Sequence, residues 1–343
     1  MTAARPRRRA LVAVLFVALI AAAALLTLRG REAAPPAVAP VGIVAGAVPD
    51  PALAARLHAR LVRFEWDIST PVARMTPTIA AYARRGIRVL PLAGFYRRLP
   101  GYRDVHNLER WARAFGPGGT FWRGRRDGHL AIRDIEFGNE TAMSYQFTDN
   151  SPAAYHARAV LYARRAVQAL RAIRRSGRHV GLLLQGDPGD RSDDAWVSTV
   201  LGSRPVLAKA AAGWTVHPYG PQWRERVARA LRQLRDNGVA SPALWVTEWG
   251  LATDGGSCLS DNYGWDRCMT FDQAANTLTR VVRGLQLRYG RRLALVAIYT
   301  IRDQAEPGAT RSREAYFGAL DANGHAKGAY TTAVQSLLAK SGG

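Results

Sequence analysis

Past residue 40, short apolar runs alternate with longer stretches in which apolar residues recur every three or four positions. The short runs lie at 41–48, 61–68, 87–95, 130–137, 179–184, 213–217, 243–248 and 293–301 and read as β-strands. Amphipathic patterns at 51–59, 76–85, 108–115, 153–175, 222–237 and 271–289 read as helices between them, with a last one at 328–338. Strand–helix alternation of this kind predicts parallel strands with helices packed outside. Eight repeats in a chain of 343 residues fit one α/β domain, a single closed (β/α)8 TIM barrel over 41–343, better than an open doubly wound sheet. A dinucleotide-binding fold would need a G-x-G-x-x-G turn after the first strand, and Gly42 and Gly46 do not supply it.

The first 40 residues follow another pattern. Arg5 and Arg7 to Arg9 precede an uncharged, almost wholly apolar run over 10–28. A basic start followed by an apolar run is the pattern of an export signal, and 19 residues is also long enough to span a bilayer as a helix. Residues 1–28 are therefore expected to be either a cleaved signal peptide or an uncleaved signal anchor, with 29–40 as a stiff Pro/Ala linker. The arginines would stay in the cytoplasm and the remainder would be extracellular or held at the cell surface, with the membrane as a partner if the helix is retained.

Composition is ordinary, at 48% hydrophobic and 22% charged, but the formal net charge is +22. It comes almost wholly from arginine, since Lys209, Lys327 and Lys340 are the only lysines. The first 40 residues hold six arginines and one acid, so +17 belongs to the rest of the chain. Such a balance favours anionic surfaces. The arginines recur on helix patterns, as at Arg164, Arg165, Arg171, Arg174 and Arg175, without aromatic interleaving and without a nucleic-acid reader motif. They read as solvated helix faces, and no nucleic-acid partner is expected. Export permits a disulfide, and the only two cysteines, Cys258 and Cys268, share a Gly/Ser/Asp/Asn-rich loop. Closing so short a loop is worth roughly 3 kcal/mol in the chain-entropy picture. Without a nearby histidine the two thiols make half a metal site, so no metal and no cofactor is expected.

The active site of a closed parallel barrel lies at the C-terminal ends of its strands. Strand four ends Phe137-Gly138-Asn139-Glu140, strand six ends His217-Pro218-Tyr219-Gly220, and strand seven ends Val246-Thr247-Glu248-Trp249-Gly250. Strand two carries Arg63, Glu65 and Asp67 at one parity. Two carboxylates across one mouth are what glycosidic cleavage needs: one protonates the leaving oxygen and the other attacks the anomeric carbon.

On these residues the chain, over about 41–340, resembles the clan A retaining glycoside hydrolases, of the family 39-like or family 5-like kind. The resemblance extends to Val62-Arg63-Phe64-Glu65-Trp66-Asp67, to Pro91-Leu92-Ala93-Gly94-Phe95, to the 116–122 loop, and to a tail running through Phe317-Gly318 and Lys327 to Tyr330. It implies a monomeric enzyme that cleaves a β-linked oligo- or polysaccharide by double displacement. Glu140 is then the general acid/base, its pKa raised, and Glu248 the ionised nucleophile. Asn139 would bond the sugar 2-hydroxyl, Tyr219 would donate to Glu248, and His217 would hold the hydrogen-bond network. Arg63 would pair with Glu248, or make a buried ion pair with Glu65 or Glu136. Glu136 and Asp134, lower in the barrel, would be structural. Trp249, Trp265 and Trp122 are candidate sugar-stacking platforms.

Two departures stand out. Thr141-Ala142 follow Glu140 where the family has Pro-Asn. Strand eight reads Ala297-Ile298-Tyr299-Thr300 where the family has a Trp under the reactive sugar, so Ile298 or Tyr299 takes that place. Two other readings use the same residues: a non-catalytic glycan-binding protein on a degenerate barrel, and a transglycosylase in which a sugar hydroxyl replaces water. A metal-dependent deacetylase would need a His/Asp cluster of suitable spacing, which is not found.

Overall fold

The computed structural model describes residues 38–46, 48–189, 195–261 and 264–340. The expected signal or anchor over 1–28 and most of the 29–40 linker lie outside these residues. Among the described residues no helix is long and apolar enough to cross a membrane. The described residues from 39 onward form one compact unit.

Eight parallel strands close on themselves in sequence order: β1 (Val41–Val44), β2 (Leu61–Asp67), β3 (Arg88–Gly94), β4 (Asp134–Phe137), β5 (Gly181–Gln185), β6 (Gly213–Val216), β7 (Leu244–Trp249) and β8 (Leu293–Ile298), with β8 pairing back onto β1. The helices between them are α1 (Pro51–Arg56), α2 (Val72–Ala83), α3 (Tyr102–Val105), α4 (Asn107–Phe115), α5 (Pro152–Arg175), α6 (Ala195–Ser203), α7 (Leu207–Ala210), α8 (Trp223–Asp236), α9 (Phe271–Tyr289) and α10 (Gly328–Ala339). This is the expected (β/α)8 barrel.

Side-chain alternation divides the core in two. Val44, Leu90, Leu183, Leu295 and Ala297 form a small buried cluster, with Leu61 and Trp245 packed against it. Their strand neighbours Val62, Val89, Leu182, Leu184 and Val296 belong instead to the large layer shared with the helices. The small cluster is therefore the barrel interior. Gly42 and Gly213 keep this interior open to its largest residues: a Cβ on Gly42 would stand 2.8 Å from Leu61, and one on Gly213 would stand 2.4 Å from Trp245.

Helix starts follow local chemistry. Asp50 and Ser151 cap α1 and α5, each with proline in the first turn, and Thr270 with Gln273 forms a capping box on α9. The α2 helix begins four residues before the expected start at 76, so Pro77 falls inside it rather than at its first turn. The expected strand over 130–137 is shorter, because 128–130 winds into a 3-10 turn. Helix α6 was not legible at all. Trp196, Val197, Val200 and Leu201 are buried on it, and its polar positions are too few to mark a face.

Tyr162 ties the helical layer to the site. Its hydroxyl donates to the Phe137 carbonyl at the end of β4 and accepts from the Gln185 amide at the end of β5, both at 3.0 Å. Its ring packs on Phe137 and Trp196.

Candidate active site

A cavity of about 880 Å³ opens at the C-terminal ends of the strands. Arg63, Glu65 and Asp67 of β2 line it together, as their shared parity predicts. So do Asn139, Glu140, Tyr219, Glu248 and Tyr299 from the ends of β4, β6, β7 and β8.

Glu140 reaches the cavity through an unusual turn. Gly138 has φ +80° and Glu140 itself φ +46°, in the left-handed region. A Cβ on Gly138 would stand 2.4 Å from the Phe95 ring and 2.7 Å from the Thr141 methyl, so only glycine fits. Glu248 is placed by an irregularity. Pairing of β7 with β8 shifts register between Val246 and Trp249, so β7 carries an extra residue there. Strict alternation would send Thr247 and Glu248 to opposite faces, yet both reach the same interior network.

Arg63 is the hub of that network. Its Nε lies 2.5 Å from Glu136 Oε2, its Nη1 2.5 Å from Glu248 Oε1, and its Nη2 donates to Asn139 Oδ1 at 2.7 Å. Two of the expected partners are thus both engaged, and Glu65 is not among the bonds. Tyr219 donates to the other oxygen of Glu248 at 2.9 Å. Glu136 also accepts from Thr247 Oγ1 at 2.9 Å, and that hydroxyl meets His217 Nε2 at 3.0 Å. The opposite ring nitrogen of His217, Nδ1, meets Glu140 Oε1 at 2.8 Å. Asp187 accepts from the His217 amide at 2.8 Å.

Charge in this cluster is set by its members on one another. Burial alone would lower the His217 pKa, but the charges of Glu248 and Glu140 and the bond to Glu140 raise it to about 9. Burial pushes the Glu140 carboxyl up, but His217, Tyr145 and Arg63 together hold it below its ordinary value. The raised value expected for Glu140 is therefore not found in the resting site: its proton is held on His217, one hydrogen bond away. Burial raises Asp187 to about 6, partly offset by the His217 amide.

Oxygens of Glu140 and Glu248 and a ring nitrogen of His217 lie within 4.8 Å of one another, a grouping that could in principle hold a cation. The Arg63 guanidinium on Glu248 and the raised pKa of His217 disfavour a second cation there. The arrangement is suited to moving a proton between two carboxylates and a ring nitrogen.

Tyr145, which sequence reasoning missed, lines the cavity and donates to Glu140 Oε2. It sits in an irregular turn with no periodicity to mark it. Phe317, Gln304, Arg313 and Glu314 complete the wall from the segment after β8. At the strand-eight position it is Tyr299 that lines the cavity, its ring against Phe317 and Tyr219 at 5.5 and 6.4 Å, while Ile298 is buried in the outer layer. The stacking roles expected of two tryptophans do not fit. Trp249 is fully buried with its ring 6.1 Å from Trp265, and Trp122 is buried and donates to the Phe115 carbonyl. Neither these two nor Trp265 lines the cavity. Cys258 and Cys268 are bonded, as expected.

Comparison of the sequence with protein-family models and with curated proteins finds no match. Solved structures match the fold. A β-glucuronidase of Bacteroides uniformis, covalently bound to cyclophellitol-6-carboxylate aziridine, superposes with a TM-score of 0.57 at 14% identity, over 87% of this chain and 35% of that one. The GH53 catalytic domain of Ignisphaera aggregans gives 0.54 at 12% identity, over 90% and 98%. A β-1,3-glucanase and pollen allergen of Cryptomeria japonica gives 0.52 at 14%, over 84% and 97%. The chain thus spans about a third of the glucuronidase and nearly the whole of the other two. The shared feature is the fold, a closed (β/α)8 TIM barrel.

Proposed function

We propose that this protein is a retaining glycosidase acting on a β-linked glycan outside the cytoplasm. The observation that carries the reading is the approach of Glu140 and Glu248, whose oxygens come within 4.8 Å across one cavity. Retaining enzymes hold their carboxyl groups about 5–5.5 Å apart, and inverting ones leave a wider gap for water.

In the proposed reaction Glu248 attacks the anomeric carbon, its charge held in line by Arg63 on one oxygen and Tyr219 on the other. The leaving oxygen takes a proton from Glu140. That proton is supplied along the 2.8 Å bond from His217 Nδ1 as the sugar displaces water from the cavity. Glu140 then serves as base for the water that breaks the glycosyl-enzyme bond. Asn139, fixed by Arg63, faces the sugar's 2-hydroxyl, and Tyr299 lies beneath the ring in place of a tryptophan.

The test is a panel of aryl β-glycosides with wild type, Glu140→Gln and Glu248→Gln. Each substitution is expected to cut turnover by orders of magnitude with the fold intact by circular dichroism. The first-formed sugar, read by NMR, should keep the β anomer. Full turnover in either variant would overturn the assignment, and an α product would overturn retention.

A further inference from the structure

We propose that the base of the barrel, the end opposite the cavity, rests on the anionic headgroups of a lipid bilayer and turns the cavity away from it. In a closed parallel barrel every strand-to-helix connection lies at the mouth and every helix-to-strand connection at the base. The seven helix-to-strand connections are 57–60, 84–87, 116–133, 176–180, 204–212, 237–243 and 290–292. Together they hold eleven arginines, one lysine and a single acid, Asp127. That acid is already taken by Arg125 at 2.6 Å. The eight strand-to-helix connections hold fourteen acids against eight basic residues. The positive charge is therefore not only a matter of helix faces: it is polarised along the barrel axis. The helix dipole favours basic residues at helix C-termini, but that effect ends within a turn. Four of the arginines lie at 123–133, well past the end of α4.

Any polyanion would answer that charge, and two further observations select a bilayer. The first is the place where the N-terminal segment joins. Gln286 Nε2, on the last turn of α9, donates to the Ala39 carbonyl at 2.7 Å, just before β1 begins. The expected signal or anchor and its linker are therefore joined to the barrel at its base. With 10–28 in a bilayer, the ten residues 29–38 span at most about 35 Å. That short tether holds the base, rather than the mouth, beside the lipid. The second observation is an apolar side chain among the arginines. Leu287, next to Gln286, is 87% exposed, the highest value of any large apolar residue among the described residues. Helical spacing sets it in one outward row with Arg280 and Arg283, and Arg288, Arg291 and Arg292 follow it. An exposed leucine flanked by arginines suits the boundary between headgroups and acyl chains, where apolar and cationic contacts add. A phosphate backbone of nucleic acid has no apolar layer to receive it.

The test is hydrogen exchange on the full-length protein, read by mass spectrometry. It compares vesicles of phosphatidylcholine alone with vesicles of phosphatidylcholine and phosphatidylglycerol. The apolar run at 10–28 meets both kinds of vesicle, so the difference between them isolates headgroup charge. Anionic vesicles should slow exchange in 84–87, 123–133 and 290–292 by about fivefold or more, the effect of one basic residue near an anionic surface. Exchange in the mouth segments 138–151 and 250–270 should not change. The protection should fade with added salt. It should be lost when Arg84→Glu, Arg85→Glu, Arg291→Glu and Arg292→Glu are combined, all four side chains being exposed. Circular dichroism checks the fold of that variant; if it fails, the same four positions changed to glutamine carry the same expectation. Equal exchange with the two vesicles, protection of the mouth instead of the base, or protection that survives the substitutions overturns the inference. A DNA duplex that protects the base where anionic vesicles do not would give the face to nucleic acid and overturn it as well. None of these outcomes depends on the glycosidase reading.

Discussion

Nδ1 of His217 stands 2.8 Å from Glu140 Oε1, and the same atom lies 3.7 Å from Glu248 Oε2, so one buried ring faces both cavity carboxylates. Its other nitrogen is held by Thr247, which leaves Nδ1 to exchange a proton with Glu140.

The first prediction follows from that ring. The folded-state pKa of His217, about 9, lies above its ordinary 6.5, so its stabilisation is complete below 6.5 and lost as pH rises through 9. Glu140 is held below its ordinary 4.5, so its contribution is present above 4.5 and lost as pH falls through the folded value. The raised Asp187 carboxyl already costs stability as pH rises toward 6, so urea unfolding should show stability declining from below pH 6 and, through His217, on toward pH 9. In His217→Gln the alkaline decline should flatten, and the alkaline limb of kcat/KM should move. An unchanged limb would show that the ring only fills space.

Arg63 supplies the second prediction. It is 3% exposed and bonded to two carboxylates, so its loss leaves buried negative charge uncompensated. Arg63→Met should cost about 3–5 kcal/mol in urea unfolding. Arg63→Lys should recover part of that stability but little activity, because an ammonium cannot reach Glu136, Glu248 and Asn139 in one fork. A loss below about 1 kcal/mol in Arg63→Met would refute the hub role.

Much of this was legible in the chain, for reasons that can be named. Asn139, Glu140, His217, Tyr219 and Glu248 each sit at or just past a strand end, and strand ends of a parallel barrel meet at one mouth. Arg63, Glu65 and Asp67 were placed together by period-two alternation. The failures have physical causes too. Trp249 sits where pairing of β7 with β8 resumes after the extra residue, and its ring is buried in the helical layer, a direction that simple alternation across an irregular strand does not reveal. Tyr145, Arg313 and Glu314 come from irregular segments where no periodicity says which way a side chain points. The direction of the Glu140 shift depended on a partner 77 residues away, which no local pattern reveals.

The third prediction concerns the bond between Cys258 and Cys268. It closes a loop of 10 residues' separation that also holds Asp266, the carboxylate gripping Arg313 in the cavity wall. Replacing both cysteines by serine should lower stability by about 3 kcal/mol on the chain-entropy account. It should also raise KM more than it lowers kcat, since Arg313 lies in the cavity wall while Glu140 and Glu248 are held by other strands. A fall in kcat alone would place the effect in the reacting pair instead.

The last prediction isolates the turn that presents the acid. Gly138→Ala would force a methyl to within 2.4 Å of the Phe95 ring at a φ of +80°, where side chains are rarely tolerated. Relief requires either the Phe95–Phe137 pair, 5.1 Å apart, or the 138–141 turn to move. The first would cost core packing, roughly 1–3 kcal/mol. The second would swing Glu140 off His217 with little change in stability. Measuring unfolding together with the pH profile of kcat/KM separates the two. A rigid core predicts loss of activity, by tenfold or more on the order of a misplaced acid, at near-native stability. Full activity in Gly138→Ala would mean that the turn is not what aims Glu140.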